Sequence, residues 1–505
     1  MGIIRQIEQL LNSITMYKLV LWGLRILAGV GILFAFTGHL SMSWTAMLLS
    51  LAALSVSCYV TDKFLGWAWG APRNVESYAI TLLILFLILP PATTPARFLG
   101  ICLAGVLAMS CKYLLARHAK HFFNPAAFAA LVLGVTGLLH ARWWVGSEVM
   151  LPFVVLLGLL VVWKIRRWSL VGTFLLFSLS LMLGIGLAHD QTVGEILKQS
   201  FTSWPLIFFA TIMLTEPATL PPQRREQVVY GALVGVVFAS QVHIGPVAAT
   251  PELALILGNI YSYAISPKYK LRLRLKHKHQ LAPNIYDFAF EPDRTPHFKP
   301  GQYMDWTLPH AKVDERGNRR SFSIASAPGE KLVHIGVKFY EPSSSFKQAL
   351  RALQPGDTLV AGGLAGDFVL PADAGRKLAF IAGGIGITPF RSMLAHLVQT
   401  GETRDIVLFY MVNTPADAVY DDVLQQAAER GVRVVRVSGT DSLPAGWEQL
   451  KGPLTADFLR KHLPDYAQRT LYISGPNAMV VGGRAVARSL GVGPEHIVTD
   501  YFAGY

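Results

Sequence analysis

Three stretches of the chain carry residue types whose spacing could do chemistry. The first is Gly383-Gly384-Ile385-Gly386-Ile387-Thr388-Pro389, which follows the apolar run Ala379-Phe380-Ile381-Ala382 and leads into an apolar-periodic segment. Glycines there let a backbone pass close to a large ligand. The free N–H groups and positive dipole end of a following helix suit a pyrophosphate. The spacing is G-G-x-G-x-T-P rather than G-x-G-x-x-G, so taken alone it also describes an ordinary strand-to-helix turn. The second stretch is Arg319-Arg320-Ser321-Phe322-Ser323. Read as a strand, it puts Arg320 and Phe322 on one face and Ser321 and Ser323 on the other. A guanidinium grips a diphosphate bidentately, an aromatic ring stacks on a flavin, and a hydroxyl meets a flavin edge. The third runs from Glu341 to Lys347 through Ser345 and opens a short helix whose free N–H groups suit a phosphate.

The elements around these residues fall into two patterns. Residues 270–371 read as short alternating strands with turn punctuation, the sign of a small β-barrel, with Pro300-Gly301-Gln302-Tyr303 as a turn before a strand and Gly363 to Phe368, including Gly366, closing it. From 378 onward, strands near 378–382, 406–411, 432–437 and 470–474 alternate with helices near 389–399, 419–429, 455–461 and 477–489. That alternation predicts a compact α/β domain with a parallel sheet. Ser474-Gly475-Pro476-Asn477-Ala478-Met479 then lies at the carboxyl edge of a strand, where such sheets bind ligands.

The rest of the chain differs in composition. Residues 1–265 hold 25 charged side chains against 52 in residues 266–505, so the first part reads as membrane-embedded and the second as soluble. Apolar spans are expected at about 17–37, 43–61, 76–91, 96–111, 125–140, 149–163, 168–188, 203–215, 226–242 and 248–265, after an amphipathic surface helix over 3–14. The first residues lack a cleavable signal pattern, so the first span is expected to stay attached. With a cytoplasmic amino terminus, Arg5, Lys18, Lys63, Arg73, Lys112, Arg117, Lys120, Lys164, Arg166, Arg167, Arg224 and Arg225 fall inside, and only Arg97, Arg142 and Lys198 fall outside. That bias puts both termini in the cytoplasm of a cell of bacterial type, at its inner membrane. It also accounts for much of the net charge of +13 without nucleic acid.

Leu89-Pro90-Pro91 echoes Leu220-Pro221-Pro222, and Asn124-Pro125 echoes Thr250-Pro251, with corresponding pieces five spans apart. An odd number of spans per repeat inverts the second copy, which predicts a five-plus-five inverted repeat. Glu216, Asn124 and Glu76 are polar residues near span ends, where interfacial solvation and function are both readings. His39, His118, His121, His140, His189 and His243 fall at or near loops, without the pairing within one span that two stacked haems require. The three cysteines, Cys58, Cys102 and Cys111, lie in or beside apolar spans and leave no iron–sulfur or other metal ligand set in the second part.

The second half resembles the ferredoxin–NADP reductase superfamily. The flavin signature Arg-x-Tyr-Ser corresponds to Arg320-Ser321-Phe322-Ser323, and the Gly-Pro-x-Gly-x-Phe turn to Gly363 through Phe368. The nicotinamide turn is complete at Gly383, Gly384, Gly386, Thr388 and Pro389, and the family's Cys-Gly-Pro corresponds to Ser474-Gly475-Pro476. The resemblance implies that Arg320, Phe322, Ser323, Ser345 and Gly366 hold FAD. It implies that Gly475, Pro476 and Met479 line the nicotinamide site, that Thr388 and Ser474 flank the hydride path, and that Asp500 and Phe502 of the carboxyl tail lie near the flavin. Relatives that use NADPH often carry Ser-Arg after a sheet strand. Ser438-Gly439-Thr440 stands here, so NADH is favoured over NADPH.

Residues 1–265 resemble the membrane protein shared by the sodium-pumping NADH:quinone reductase and the Rnf complex, on His121-Phe122-Phe123-Asn124-Pro125-Ala126, the Leu-Pro-Pro end of the third span, and Met213-Leu214-Thr215-Glu216-Pro217. That family links a flavin to a threonine after the Asn-Pro-Ala helix. The corresponding stretch, His140 to Glu148, has no threonine, which argues against a covalent flavin and leaves room for a non-covalent one.

The sequence thus predicts a helical polytopic membrane domain over 1–265, a β-barrel FAD domain over 266–374 and an α/β nicotinamide-nucleotide domain over 375–505. The expected activity is NADH-dependent electron transfer through FAD to the membrane domain, then to a quinone or an outer-face acceptor, with lipid as the surrounding partner. A haem-bearing ferric or oxygen reductase and a transporter with a regulatory redox domain stay open as alternatives.

Overall fold

The computed structural model describes residues 11, 14–69, 75–117, 120–240, 243–244, 247–266, 270–311, 313–314 and 317–502. The amphipathic helix expected over 3–14 falls almost wholly outside them. The chain divides into two compact units, 1–269 and 270–505.

The first unit is helical. Its helices are α1 (Met16–Phe36), α2 (Trp44–Ala68), α3 (Val75–Ile88), α4 (Pro95–Leu114), α5 (Pro125–Val135), α6 (Leu151–Ile165), α7 (Trp168–Ala188), α8 (Val193–Thr202), α9 (Leu206–Phe208, continued by a π turn over Phe209–Met213), α10 (Arg224–Ala239) and α11 (Pro251–Ile265). Capping chemistry sets several starts. Thr94, Asn124 and Thr250 each accept a backbone N–H two residues past a proline at the first helical position, satisfying donors that the helix leaves free.

Among the described residues, four helices (α1, α2, α4 and α7) are long and apolar enough to cross a membrane. The remaining expected spans are shorter. The third stops at Ile88, ahead of Pro90 and Pro91, and the fifth stops at Val135, ahead of Gly137 in the left-handed region. The eighth is a single helical turn with a π turn. α8 lies where the span pattern predicts a loop. It is closed by a reciprocal capping box between Thr192 and Glu195.

Gly105 in α4 packs against Ser57 and Cys58 of α2, and Gly231 in α10 packs against Leu170 and Phe174 of α7. Gly231 follows Gly105 by 126 residues, as Pro251 follows Pro125. The two-residue strands β1 (Ala116–Arg117) and β2 (Lys120–His121) pair ahead of α5, and β3 (His243–Ile244) and β4 (Val247–Ala248) pair ahead of α11.

The second unit holds two sheets. Strands β5 (Leu271–Ala282), β6 (Ile285–Pro292), β7 (Tyr303–Thr307), β8 (Arg319–Ser323), β9 (Val333–Lys338) and β10 (Thr358–Ala365) form an antiparallel sheet in the order β8-β7-β10-β5-β6-β9, accompanied by helix α12 (Ser345–Ala352). Alternation along β5 and β7 turns Leu273, Leu275, Met304 and Trp306 inward.

The other sheet is parallel, in the order β14-β13-β12-β11-β15-β16, from β11 (Leu378–Gly383), β12 (Ile406–Val412), β13 (Arg433–Ser438), β14 (Trp447–Gln449), β15 (Thr470–Pro476) and β16 (Ile497–Phe502). β11 and β15, at its centre, are almost fully buried, as continuous apolar strands covered on both faces must be. Helices α13 (Thr388–Thr400), α14 (Asp421–Glu429), α15 (Ala456–His462) and α16 (Asn477–Ser489) complete it. The carboxyl tail is a sixth strand of this sheet: Ser474 pairs with Asp500 and Pro476 with Phe502.

Candidate functional site

The glycine-rich turn leaves β11 at its carboxyl end, makes a 3-10 turn over Gly384–Ile387 and enters α13 at Thr388 with Pro389 next. Its three glycines serve different purposes. A Cβ on Gly383 would overlap the side chain of Met479, and one on Gly386 would fall 2.5 Å from the carbonyl oxygen of Ser474. Those two positions are small because the turn is pressed against the Ser474-Gly475 loop. Gly384 has φ +52° with no heavy atom within 4 Å of a built Cβ, so it is the position that leaves open room. Thr388 is buried and its hydroxyl donates to the Ile385 carbonyl at 3.1 Å, which fixes the turn.

Around Arg320 the antiparallel sheet builds a second cluster. Arg320 is paired across the sheet with Trp306 and its side chain is 5% exposed. Nη1 donates to the carbonyls of Gly317 at 3.1 Å and Arg319 at 2.7 Å, and the guanidinium lies 5.4 Å above the Phe346 ring. The Phe322 ring is 6.0 Å from that same ring, so Arg320 and Phe322 share the face towards α12. The Ser321 hydroxyl donates to Asp305 on the opposite face. Ser344 caps α12, and Ser345 is its first helical residue.

Side-chain contacts bring the two clusters together. Two residues past Ser323, the Ala325 carbonyl accepts Arg391 Nη1 at 2.9 Å, and the Ser326 carbonyl accepts the Ser392 hydroxyl at 2.6 Å. Arg391 also pairs with Glu330. The start of α13 is thereby bolted to the segment that follows β8. Gly336 of β9 lies against Thr388 and the Tyr420 hydroxyl, where a Cβ would come within 2.8 Å and 2.5 Å. Gln302 Nε2 donates to the Gly366 carbonyl at 3.3 Å, and Gly366, at φ +116°, faces the Tyr303 ring.

Asp287, Tyr420, Arg391 and Asp314 belong to this machinery although no motif announces them. Tyr420 has φ +65° and its hydroxyl donates to Asp287 at 2.8 Å. Burial, and then the Asp287 charge, push its phenol well above the ordinary value.

The residues present fit a flavin and a nicotinamide nucleotide. The hydroxyls of Ser323 and Ser474 are buried and meet no hydrogen-bond partner among the described residues. A buried donor left unpaired costs about 1–3 kcal/mol, which a polar ligand edge removes. Both serines stand where the sequence signatures put the flavin and the nicotinamide. The Ser438 hydroxyl donates instead to the Asn413 carbonyl at 2.9 Å, inside its own sheet edge.

In the helical unit, the two motifs singled out in the sequence meet. Asn124 Nδ2 donates to Glu216 at 2.7 Å, and the Asn124 backbone N–H donates to Asn259 Oδ1 at 2.7 Å. Asn259 Nδ2 donates to the Tyr230 hydroxyl at 3.2 Å. No cluster of three or more histidine, cysteine, aspartate or glutamate side chains able to hold a metal occurs among the described residues.

Residues 380–484 match the family model described as the oxidoreductase NAD-binding domain. The chain is similar to the propane 2-monooxygenase reductase component of Rhodococcus jostii, at 30% identity over 41% of this chain and 55% of that protein. It is similar to a flavohemoprotein of Bacillus cereus at 27% identity, over 43% of this chain and 57% of that protein. A solved structure of a ferredoxin NADP+ reductase from Neisseria gonorrhoeae with bound FAD and NADP shares 18% identity at a TM-score of 0.41, covering 47% of this chain and 99% of that one. The chain spans about half the length of the curated relatives it matches. Its second unit carries an oxidoreductase NAD-binding domain over residues 380–484.

Proposed function

We propose that the chain is an NADH-dependent flavoprotein that feeds electrons into its own helical unit, and from there to a quinone or to an acceptor on the outer face of a cell membrane. The observation that carries the flavin and nucleotide half of this reading is the pair of buried, unpartnered hydroxyls of Ser323 and Ser474, each on a signature position. FAD, when bound, takes up a hydride as an electron pair and gives electrons back singly. Arg320 and the start of α12 would hold its diphosphate, and Phe322 and Ser323 would meet its ring system. Thr388, Ser474 and Asp500, with the Gly383–Gly386 turn, Gly475, Pro476 and Met479, place the nicotinamide.

The four long apolar helices support a membrane setting with lipid as the surrounding partner, and the hydrogen-bonded Asn124–Glu216 pair supports a functional centre in the helical unit. That unit would hold any further flavin without a covalent link. The barrel closure, ten-span topology, domain boundaries and cytoplasmic placement of both termini belong to the same proposal.

The test is reconstitution of the purified full-length chain in liposomes containing a quinone. NADH added outside should be consumed with quinone reduction by the outward-oriented fraction. Consumption of NADH without any loss of oxidised quinone, whatever soluble outer acceptor is then supplied inside, contradicts the membrane half of the reading.

A further inference from the structure

The cradle assigned to the FAD diphosphate already contains an anion of the chain's own. Asp314 Oδ2 accepts the Ser345 N–H at 2.8 Å, and Asp314 Oδ1 lies 3.8 Å from Arg320 Nη2. The contact is reciprocal, since the Asp314 N–H donates to the Ser345 hydroxyl at 3.0 Å. His310 Nε2 is hydrogen-bonded to the same hydroxyl at 3.0 Å. This is a reciprocal pair of hydrogen bonds to the first helical residue, supplied from 31 residues upstream and standing beside the Ser344 cap. A carboxylate that accepts the first N–H of a helix and lies 3.8 Å from a buried guanidinium takes one donor suited to a phosphate and stands beside a second.

We propose that Asp314 is a placeholder for the cofactor diphosphate. Without FAD it satisfies Ser345 and neutralises Arg320, and FAD must take the Ser345 N–H from it. The reason is charge and valence: one N–H serves one strong acceptor, and two anions beside one guanidinium repel each other. Asp314 thereby sets how tightly FAD is held while keeping the cradle ordered without it. The proposal rests on the reading that Arg320 and α12 hold the diphosphate.

The experiment is titration of FAD into purified, flavin-stripped full-length protein, read by flavin fluorescence. Asp314→Asn keeps the shape and removes the charge, and should bind FAD about tenfold more tightly, the scale on which a charge-assisted hydrogen bond exceeds a neutral one. Asp314→Glu keeps the charge and should bind no more tightly than the parent. Equal or weaker binding by Asp314→Asn overturns the proposal. Should that variant fail to fold, hydrogen exchange of the parent decides: adding FAD should speed exchange of the peptide carrying Asp314 and slow that of the peptide carrying Ser345. Slower exchange in both overturns it. Arg320→Ala separates the two layers: FAD binding unchanged in that variant removes the diphosphate site itself, whereas lost binding with an unaltered Asp314→Asn removes only the role of Asp314.

Discussion

Tyr420 Oη lies 2.8 Å from Asp287 Oδ1, and the same carboxylate takes His334 Nδ1 at 2.7 Å on its other oxygen. One buried aspartate of the antiparallel sheet thus joins a tyrosine at the start of α14 to a histidine of its own sheet. The Tyr420 hydroxyl also lies beside Gly336 of β9, where Thr388 packs, so this hydrogen bond ties the start of α14 to β6 next to that contact.

Tyr420→Phe keeps the ring and removes the bond. It leaves Asp287 short of one donor and should destabilise the second unit by about 1–3 kcal/mol. FAD affinity should hold, because Arg320 and α12 are unaltered, while the rate of flavin reduction by NADH falls. Thermal melting and stopped-flow absorbance check the two halves separately.

Arg320→Ala removes a buried guanidinium stacked on Phe346 and proposed to hold the diphosphate. Losing charge-assisted hydrogen bonds worth about 1.5–3 kcal/mol should weaken FAD binding by roughly 10- to 100-fold. Arg320→Lys should recover little, because a point charge does not replace a planar fork. Fluorescence titration measures both.

Two glycines of one turn should behave differently. Gly386→Ala drives a methyl against the Ser474 carbonyl and Gly475, and should destabilise the fold by about 1–3 kcal/mol. Gly384→Ala meets open space and strains only a left-handed backbone, at about 1 kcal/mol. On the proposed nucleotide site its Cβ enters that open room, so KM for NADH should rise with little change in melting temperature. Steady-state kinetics beside melting curves distinguish them.

His277 gives the second unit a pH dependence. Its ring is 4.8 Å from His279 and 6.4 Å from His334. Desolvation first, then the charges of His279 and His334, hold its pKa below the ordinary 6.5, against the pull of Asp287. The unfolded chain therefore binds this proton first, and stability falls as pH drops through about 6.5 towards the folded value. Melting temperatures at pH 7.5 and 5.5 should show the loss, and His277→Gln should reduce it.

Much of the nucleotide-binding sheet was legible because its signals are local. The strands expected near 378–382, 406–411 and 470–474 run over 378–383, 406–412 and 470–476, and the Gly-Gly-x-Gly-x-Thr-Pro segment becomes a turn and a helix start. α8 carried its own signal in Thr192 and Glu195, hidden by an expectation of membrane spans alone. The lengths of α5 and α9 were not legible, since an apolar run does not say where its helix stops. Tyr420 and Asp287 stand 133 residues apart, and Asp314 and Ser345 31 apart, so neither contact has a sequence period to announce it. The motif positions could be read from local spacing, whereas the residues that press against them could not.

The most direct measurement is the visible spectrum of the freshly purified full-length protein, taken without oxygen before and after adding NADH. The account predicts an oxidised-flavin band that bleaches on NADH addition in the parent and is weak or absent in Arg320→Ala. A protein that is colourless, takes up no FAD when offered it, or keeps an unbleached flavin band in excess NADH and NADPH contradicts it.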